Sequence, residues 1–168
     1  MAQNIYDNPA FFEGYAQLPR SVQGLDGAPE WPALKSMLPD LTGKSVIDLG
    51  CGYGILAVAL ASACPSALVD AVDVNARALE LTRVNAQAYH VDERVRALTP
   101  GEVDPTAVYD EIWSNPPIRI GKTALHDLLL TWLPRLAPDG VAHLVVGKNL
   151  GADSLQRWLA DQDWPCQR

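Results

Sequence analysis

After residue 43 the chain alternates short apolar runs with stretches whose apolar residues recur at helical spacing. Ser45-Val46-Ile47-Asp48-Leu49 is apolar on both faces save for the acid near its end, the pattern of a buried parallel strand. Residues 55–61 are Ala-rich and free of Gly and Pro, which predicts a buried helix. A second strand follows over 67–73, a helix over 76–88, a short third strand over 94–98 and a fourth over Tyr109–Ser114. In 123–136, Leu125, Leu128, Leu129, Trp132, Leu133 and Leu136 keep the i, i+3, i+4 spacing of an amphipathic helix, with Pro134 marking a late kink. Asp139-Gly140 predicts a turn and 141–146 a fifth strand. Asp153 is the expected cap of a closing helix with Leu155, Trp158 and Leu159 inward. Ahead of all this, residues 1–43 read as a mainly helical lead-in. There Pro29-Glu30-Trp31-Pro32 opens a helix with Trp31, Leu34 and Leu38 on one face, and Pro39 ends it.

Strands alternating with helices predict an α/β fold around a parallel sheet. Right-handed crossovers with a ligand at the strand tips predict the order 3-2-1-4-5, the switch point lying beside the first strand. The chain reads as one domain over 1–168, a helical cap over 1–43 and an α/β core over 44–168.

Composition narrows the class without changing that picture. The 168 residues are 48% hydrophobic and 20% charged, which suits one globular core. No apolar run approaches a membrane span, and Met1–Asp7 carries neither a basic start nor an apolar segment, so a cytoplasmic protein is expected. Cys51, Cys64 and Cys166 are scattered and read as reduced thiols. His90, His126 and His143 are isolated, so no metal site is indicated. The net charge of −7 argues against a broad polyanion-binding surface. All the excess acid lies in residues 1–110, however. Residues 111–168 balance 6 basic against 6 acidic side chains, which leaves room for a nucleic acid held locally.

The chemistry gathers at two strand ends. The first strand runs into Gly50-Cys51-Gly52-Tyr53-Gly54 and then a helix. Strand, glycine loop, helix is a nucleotide-site layout, because glycine lets a ligand lie against bare backbone beside unpaired helix N–H groups. The dinucleotide fingerprint G-x-G-x-x-G is not met, since Ile55 stands at its third glycine, and a nicotinamide dehydrogenase loses ground. The plainer alternative is a tight turn with no ligand. Asp73, 25 residues after Asp48, ends the second strand, where a carboxylate can accept both ribose hydroxyls of an adenosine. The other role open to it is a helix cap, a role that suits Asn75 better. Asp70, inside the strand, reads as a solvated surface acid. The fourth strand delivers Asn115-Pro116-Pro117-Ile118. Two prolines stiffen the backbone and remove two donors, leaving carbonyls beside the Asn115 oxygen as a rigid acceptor pair for an exocyclic amino group. A purely structural Pro-Pro turn is the competing explanation.

Asp48-x-Gly50-x-Gly52-x-Gly54 resembles motif I of class I S-adenosylmethionine (SAM) methyltransferases. Asn115-Pro116-Pro117-Ile118 resembles motif IV of the amino-group N-methyltransferases acting on nucleobases or glutamine amides. The longer stretches Asp110-x-Ile112-Trp113-Ser114-Asn115-Pro116-Pro117-Ile118-Arg119-x-Gly121-Lys122 and Val145-Val146-Gly147-Lys148-Asn149-Leu150-Gly151 extend the likeness. Over about 48–165 the chain resembles bacterial small-subunit rRNA guanine-N2 methyltransferases. That resemblance implies a Rossmann-like methyltransferase fold, SAM as cofactor and guanine N2 of rRNA as acceptor, with the small ribosomal subunit as partner. Asp48, Gly50, Cys51, Gly52, Gly54, Asp73 and Asn115 would bind the cofactor, and Asn115, Pro116 and Pro117 would hold the acceptor. Ile118 replaces the aromatic that stacks the base in many adenine enzymes. Arg119, Lys122 and Lys148 would hold RNA phosphates, unless they are ordinary surface charge.

The N-terminal Y-x-x-P-x-F-F-x-G-Y-x-x-L-P-R-S resembles the cap of a different group of small class I methyltransferases. There Tyr15 and Arg20 would face the cofactor; a packed aromatic cluster with a solvated Arg is the alternative. The chain thus reads as a fusion of two related halves, natural or engineered. The family sheet carries two more, antiparallel, strands after the last helix, and Trp164-Pro165-Cys166-Gln167-Arg168 reads as at most the start of one. The expectation is an exposed edge at 141–146 and a homodimer through it. The rival functions are methylation of a small molecule and a SAM-binding scaffold without turnover.

Overall fold

The computed structural model describes residues 17, 23–27, 29, 31–117 and 120–167. The chain falls into two compact units, Met1–Asp40 and Leu41–Arg168. In the first, a 3-10 turn at Gly24–Gly27 precedes helix α1, Trp31–Met37. Tyr15 and Arg20 lie outside the described residues, as do Ile118 and Arg119.

The second unit is built on a five-stranded sheet in the order β3-β2-β1-β4-β5, and every neighbouring pair is parallel. Its strands are β1 (Ser45–Leu49), β2 (Leu68–Val72), β3 (Val95–Leu98), β4 (Tyr109–Ser114) and β5 (Leu136–Leu144). β1 is central and buried on both faces, which is why its sequence carries no polar alternation. Helices α2 (Ile55–Ala63) and α3 (Ala76–Ala88) link the first three strands. The small side chains Ala57, Val58, Ala59 and Ala61 of α2 are buried. Helix α4 (Lys122–Trp132) buries Trp132 in a cluster with Ile47 and Ile112, and its Leu125 and Leu129 in a second cluster to which α5 (Ala152–Asp161) adds Leu155 and Leu159.

Three expectations are revised. Helix α4 ends at Trp132, and Leu133–Arg135 tightens into a 3-10 turn, since Pro134 has no N–H for a further helical bond. β5 begins at Leu136, not 141. Asp139 and Gly140 lie in an irregularity where the register jumps from Tyr109–Leu136 to Glu111–Val141. Gly151, with φ 95°, is the N-cap of α5, and Asp153 sits in the first turn, where a carboxylate still complements the helix dipole. At the β5 end of the sheet Val141 and Val145 are exposed, at 48% and 63%.

Candidate active site

The site is built at the C-terminal ends of β1, β2 and β4. Leaving β1, the chain turns through Gly50, Gly52 and Gly54, all at positive φ. Gly50 N–H and Cys51 N–H both donate to the Val72 carbonyl at the tip of β2, at 2.8 and 3.1 Å. A side chain on Gly50 would meet nothing within 4 Å, so open space lies against this backbone. Gly54 is the reverse case. A Cβ there would lie 2.4 Å from Thr82 Cγ2, and its φ of 77° already excludes most other residues.

Asp73 stands at the tip of β2. Its Oδ2 accepts from Gly52 N–H at 2.9 Å and its Oδ1 from Asn75 N–H at 2.9 Å. A carboxylate keeps further lone pairs on both oxygens, so ribose hydroxyls can still be accepted. Asn75 is the cap of α3, its side chain accepting from Arg77 N–H at 3.0 Å.

Asp48 is 3% exposed. It accepts from Ala57 N–H in the first turn of α2, the helix whose N-cap, Gly54, has no side chain to offer. Its Oδ2 has no hydrogen-bond partner among the described residues. Burial, and secondarily the Asp73 carboxylate, push this carboxyl up to about 7. A buried carboxyl with one such oxygen, on the strand leading into a loop whose Gly50 has open space against its backbone, suits a cationic group. The methionyl ammonium and sulfonium of SAM are such groups, so the residues present fit the cofactor. The Cys51 thiol is pushed up to about 12, chiefly by burial and then by Asp48, so it is no nucleophile.

β4 ends beside this loop. Ser114 Oγ donates to the Leu49 carbonyl at 2.9 Å, and the Ser114 carbonyl accepts from Val145 N–H at 2.8 Å. Asn115 emerges exposed, Pro116 is buried and Pro117 exposed. The Pro117 carbonyl accepts from Ile120 N–H at 3.1 Å. Lys122, at the start of α4, and Lys148, in the 3-10 turn Lys148–Leu150, are both exposed on segments that follow β4 and β5.

Several contacts were hidden from the sequence. Asp70 is not a solvated acid: it is 2% exposed and takes a two-pronged ion pair from Arg96, at 2.7 and 2.8 Å, plus the Tyr109 hydroxyl at 2.7 Å. Burial, then this bond, raises the Tyr109 phenol. Glu111, 1% exposed, is held by Lys44 and His143, both at 2.8 Å, and His143 stacks on Trp113. Thr82 and Asn85 of α3 reach the glycine loop, Oγ1 to the Gly52 carbonyl at 3.1 Å and Nδ2 to the Tyr53 carbonyl at 2.8 Å. Thr82 left one signal, a hydroxyl on the otherwise apolar stripe Ala78, Leu79, Ala86. Among the described residues no cluster of metal ligands occurs.

The sequence matches the family described as "Methyltransferase small domain" over residues 21–162. The chain belongs to that family. It is by family a SAM-dependent methyltransferase domain, and the sheet order is that of the Rossmann-like methyltransferase fold. Among its relatives is ribosomal RNA small subunit methyltransferase C of Shewanella denitrificans, 33% identical over 139 residues, covering 80% of this chain and 40% of that protein. Another is the ribosomal protein uL3 glutamine methyltransferase of Burkholderia pseudomallei, 37% identical over 136 residues, covering 73% of this chain and 43% of the relative. The domain therefore spans less than half of either relative's length. Its fold also matches the T. thermophilus 16S rRNA N2 G1207 methyltransferase in complex with AdoMet and guanosine. That match has a TM-score of 0.56 at 23% identity, and covers 88% of this chain and 36% of that one.

Proposed function

We propose that this domain transfers a methyl group from SAM to an exocyclic amino group of a nucleobase, guanine N2 of small-subunit rRNA being the specific acceptor. The observation that carries the reading is the bond from Ser114 to the Leu49 carbonyl, which brings Asn115 out of β4 beside the glycine loop. In this reading the Asn115 side-chain oxygen and the Pro116 carbonyl accept the two amino hydrogens. Holding both draws the nitrogen lone pair out of conjugation and aims it toward the cofactor. SAM supplies a methyl already activated on sulfonium, so the chain's task is positioning. Asp73 holds the ribose, and the loop with Asp48 holds the methionyl end. Lys122 and Lys148, with Arg119, take RNA phosphates, and Ile118 lies against the base. Tyr15 and Arg20 are assigned to the cofactor by resemblance alone. The setting is cytoplasmic, in keeping with the free thiols of Cys51, Cys64 and Cys166.

A second reading is supported by the uL3 glutamine methyltransferase, the more identical of the two relatives. A glutamine amide presents the same –NH2 to the same acceptor pair. The deciding experiment supplies tritiated-methyl SAM with deproteinised rRNA, isolated small subunits and ribosomal protein in parallel. Label in N2-methylguanosine after nuclease digestion is expected. Label confined to protein would move the acceptor to glutamine, and label in neither would remove both.

A further inference from the structure

The glycine loop is tethered by helix α3. Three glycines in five residues give this segment the greatest backbone freedom in the core, and that freedom must be lost before a ligand can lie on it. Two side chains one helical turn apart remove it. Thr82, fully buried, brings Oγ1 to 3.1 Å from the Gly52 carbonyl, with Cys51 Sγ 3.8 Å away. Asn85 donates from Nδ2 to the Tyr53 carbonyl at 2.8 Å. Because a trans peptide is planar, fixing two successive carbonyls fixes the 52–53 and 53–54 peptide planes together. The N–H groups on either side are also engaged: Gly52 donates to Asp73 Oδ2 and Gly54 to the Cys51 carbonyl, both at 2.9 Å. The Thr82 methyl fills the space a Gly54 side chain would need.

We propose that Thr82 and Asn85 are positioning residues for SAM: they hold the carbonyls of Gly52 and Tyr53 so that the loop already has its binding shape before the cofactor arrives. The proposal rests on SAM occupying this loop. The Thr82 hydroxyl lies equally 3.1 Å from the Ala78 carbonyl of its own helix, and it has one hydrogen to give. Its share to Gly52 is what the loop requires. Without the tethers the binding-competent shape is only one of several, and apparent affinity falls by the fraction populated.

The test measures SAM and S-adenosylhomocysteine affinity by calorimetry in the full chain. Thr82→Val keeps the methyl and removes the hydroxyl; Asn85→Ala removes the second tether. Each is expected to weaken both ligands roughly three- to tenfold, the range of one ordinary hydrogen bond. Thr82→Ser restores the hydroxyl and is expected to stay within about twofold of the parent. In the cofactor-free variants, exchange of the Gly52, Tyr53 and Gly54 amides is expected to quicken, and saturating SAM to slow it again. Unchanged affinity in a folded Thr82→Val or Asn85→Ala overturns the proposal. So does failure of both to fold, since the contacts would then be structural. A parent chain that binds no SAM would instead remove the cofactor reading beneath it.

Discussion

Ser114 gives its buried hydroxyl to the carbonyl of Leu49, joining the last residue of β4 to the last residue of β1. One residue further on, the two strands become Asn115 and Gly50, the starts of the proposed acceptor and cofactor loops. In the proposed reaction the bond sets the spacing between its two halves. Ser114→Ala leaves a buried carbonyl without this donor, a loss of about 1–3 kcal/mol. The expected outcome is that shift in urea unfolding, with turnover falling more than SAM affinity. Intact turnover in the destabilised variant would show that the spacing is held by other contacts.

Asp73, the proposed ribose ligand, already holds two backbone groups. Its two oxygens accept from Gly52 and Asn75. Asp73→Ala is expected to weaken SAM at least about tenfold, since charge-assisted bonds are worth about 1.5–3 kcal/mol each and 1.4 kcal/mol is one decade. Some stability goes with it, because the loop and the α3 entry share the carboxylate. Asp73→Asn keeps one acceptor oxygen and is expected to fall between parent and alanine. SAM titration alongside thermal melting separates the two effects. Parent affinity in a folded Asp73→Ala would take the ribose role away.

What the sequence disclosed and what it concealed divide along a physical line. β1, the glycine loop, Asp73 at a strand tip and Asn75 as cap are local patterns, each readable within a few residues. The sheet order followed from the handedness of crossovers. Asp70 was misread because its partners, Arg96 and Tyr109, lie 26 and 39 residues away. An acid in a strand looks solvated until the register brings Arg96 opposite it. Glu111 was silent for the same reason, with Lys44 67 residues distant. The start of β5 was placed late because Asp139-Gly140 carries turn chemistry, and the structure spends it on an irregularity within the strand. Ser114 and Thr82 bond to carbonyls, which no side-chain pattern reveals.

Asp48 predicts a pH dependence. Burial raises its carboxyl from the ordinary 3.8 to about 7. Between those values the unfolded chain has lost the proton and the folded chain retains it, so the folded state binds more protons. Stability therefore falls as pH rises from about 4 to about 7, and this contribution is flat above. A cation beside Asp48 favours its ionised form, so SAM binding below pH 7 is expected to release a proton, and affinity to rise with pH until about 7. Calorimetry in buffers of different ionisation enthalpy counts that proton. Asp48→Asn is expected to flatten both profiles. A proton count of zero at pH 6 in the parent would mean that Asp48 does not face the cofactor's charge.

Asn115 is where the readings of function diverge most. It is exposed at the end of β4, and Pro116, whose carbonyl is the proposed second acceptor, follows it. If these two oxygens grip the acceptor amine, their bonds strengthen as the nitrogen attacks and its hydrogens become more acidic. The interaction is then stronger in the transition state than in the ground state, the condition for a gain in rate. A preorganised polar group of this kind is worth about 2.7–4 kcal/mol, or roughly 10²–10³ in rate. Asn115→Ala is therefore expected to remove most turnover while SAM affinity stays within a few-fold, because the cofactor is held chiefly by Asp73 and the loop. Asn115→Asp retains an acceptor oxygen and is expected to be milder. A scaffold without turnover has nothing to lose from either change, and a purely structural turn would answer with a lower melting temperature instead. The three readings separate when SAM affinity, melting temperature and methyl transfer are measured on the same preparation. A stable Asn115→Ala that transfers methyl groups at the parent rate would sink the amino-methyltransferase mechanism.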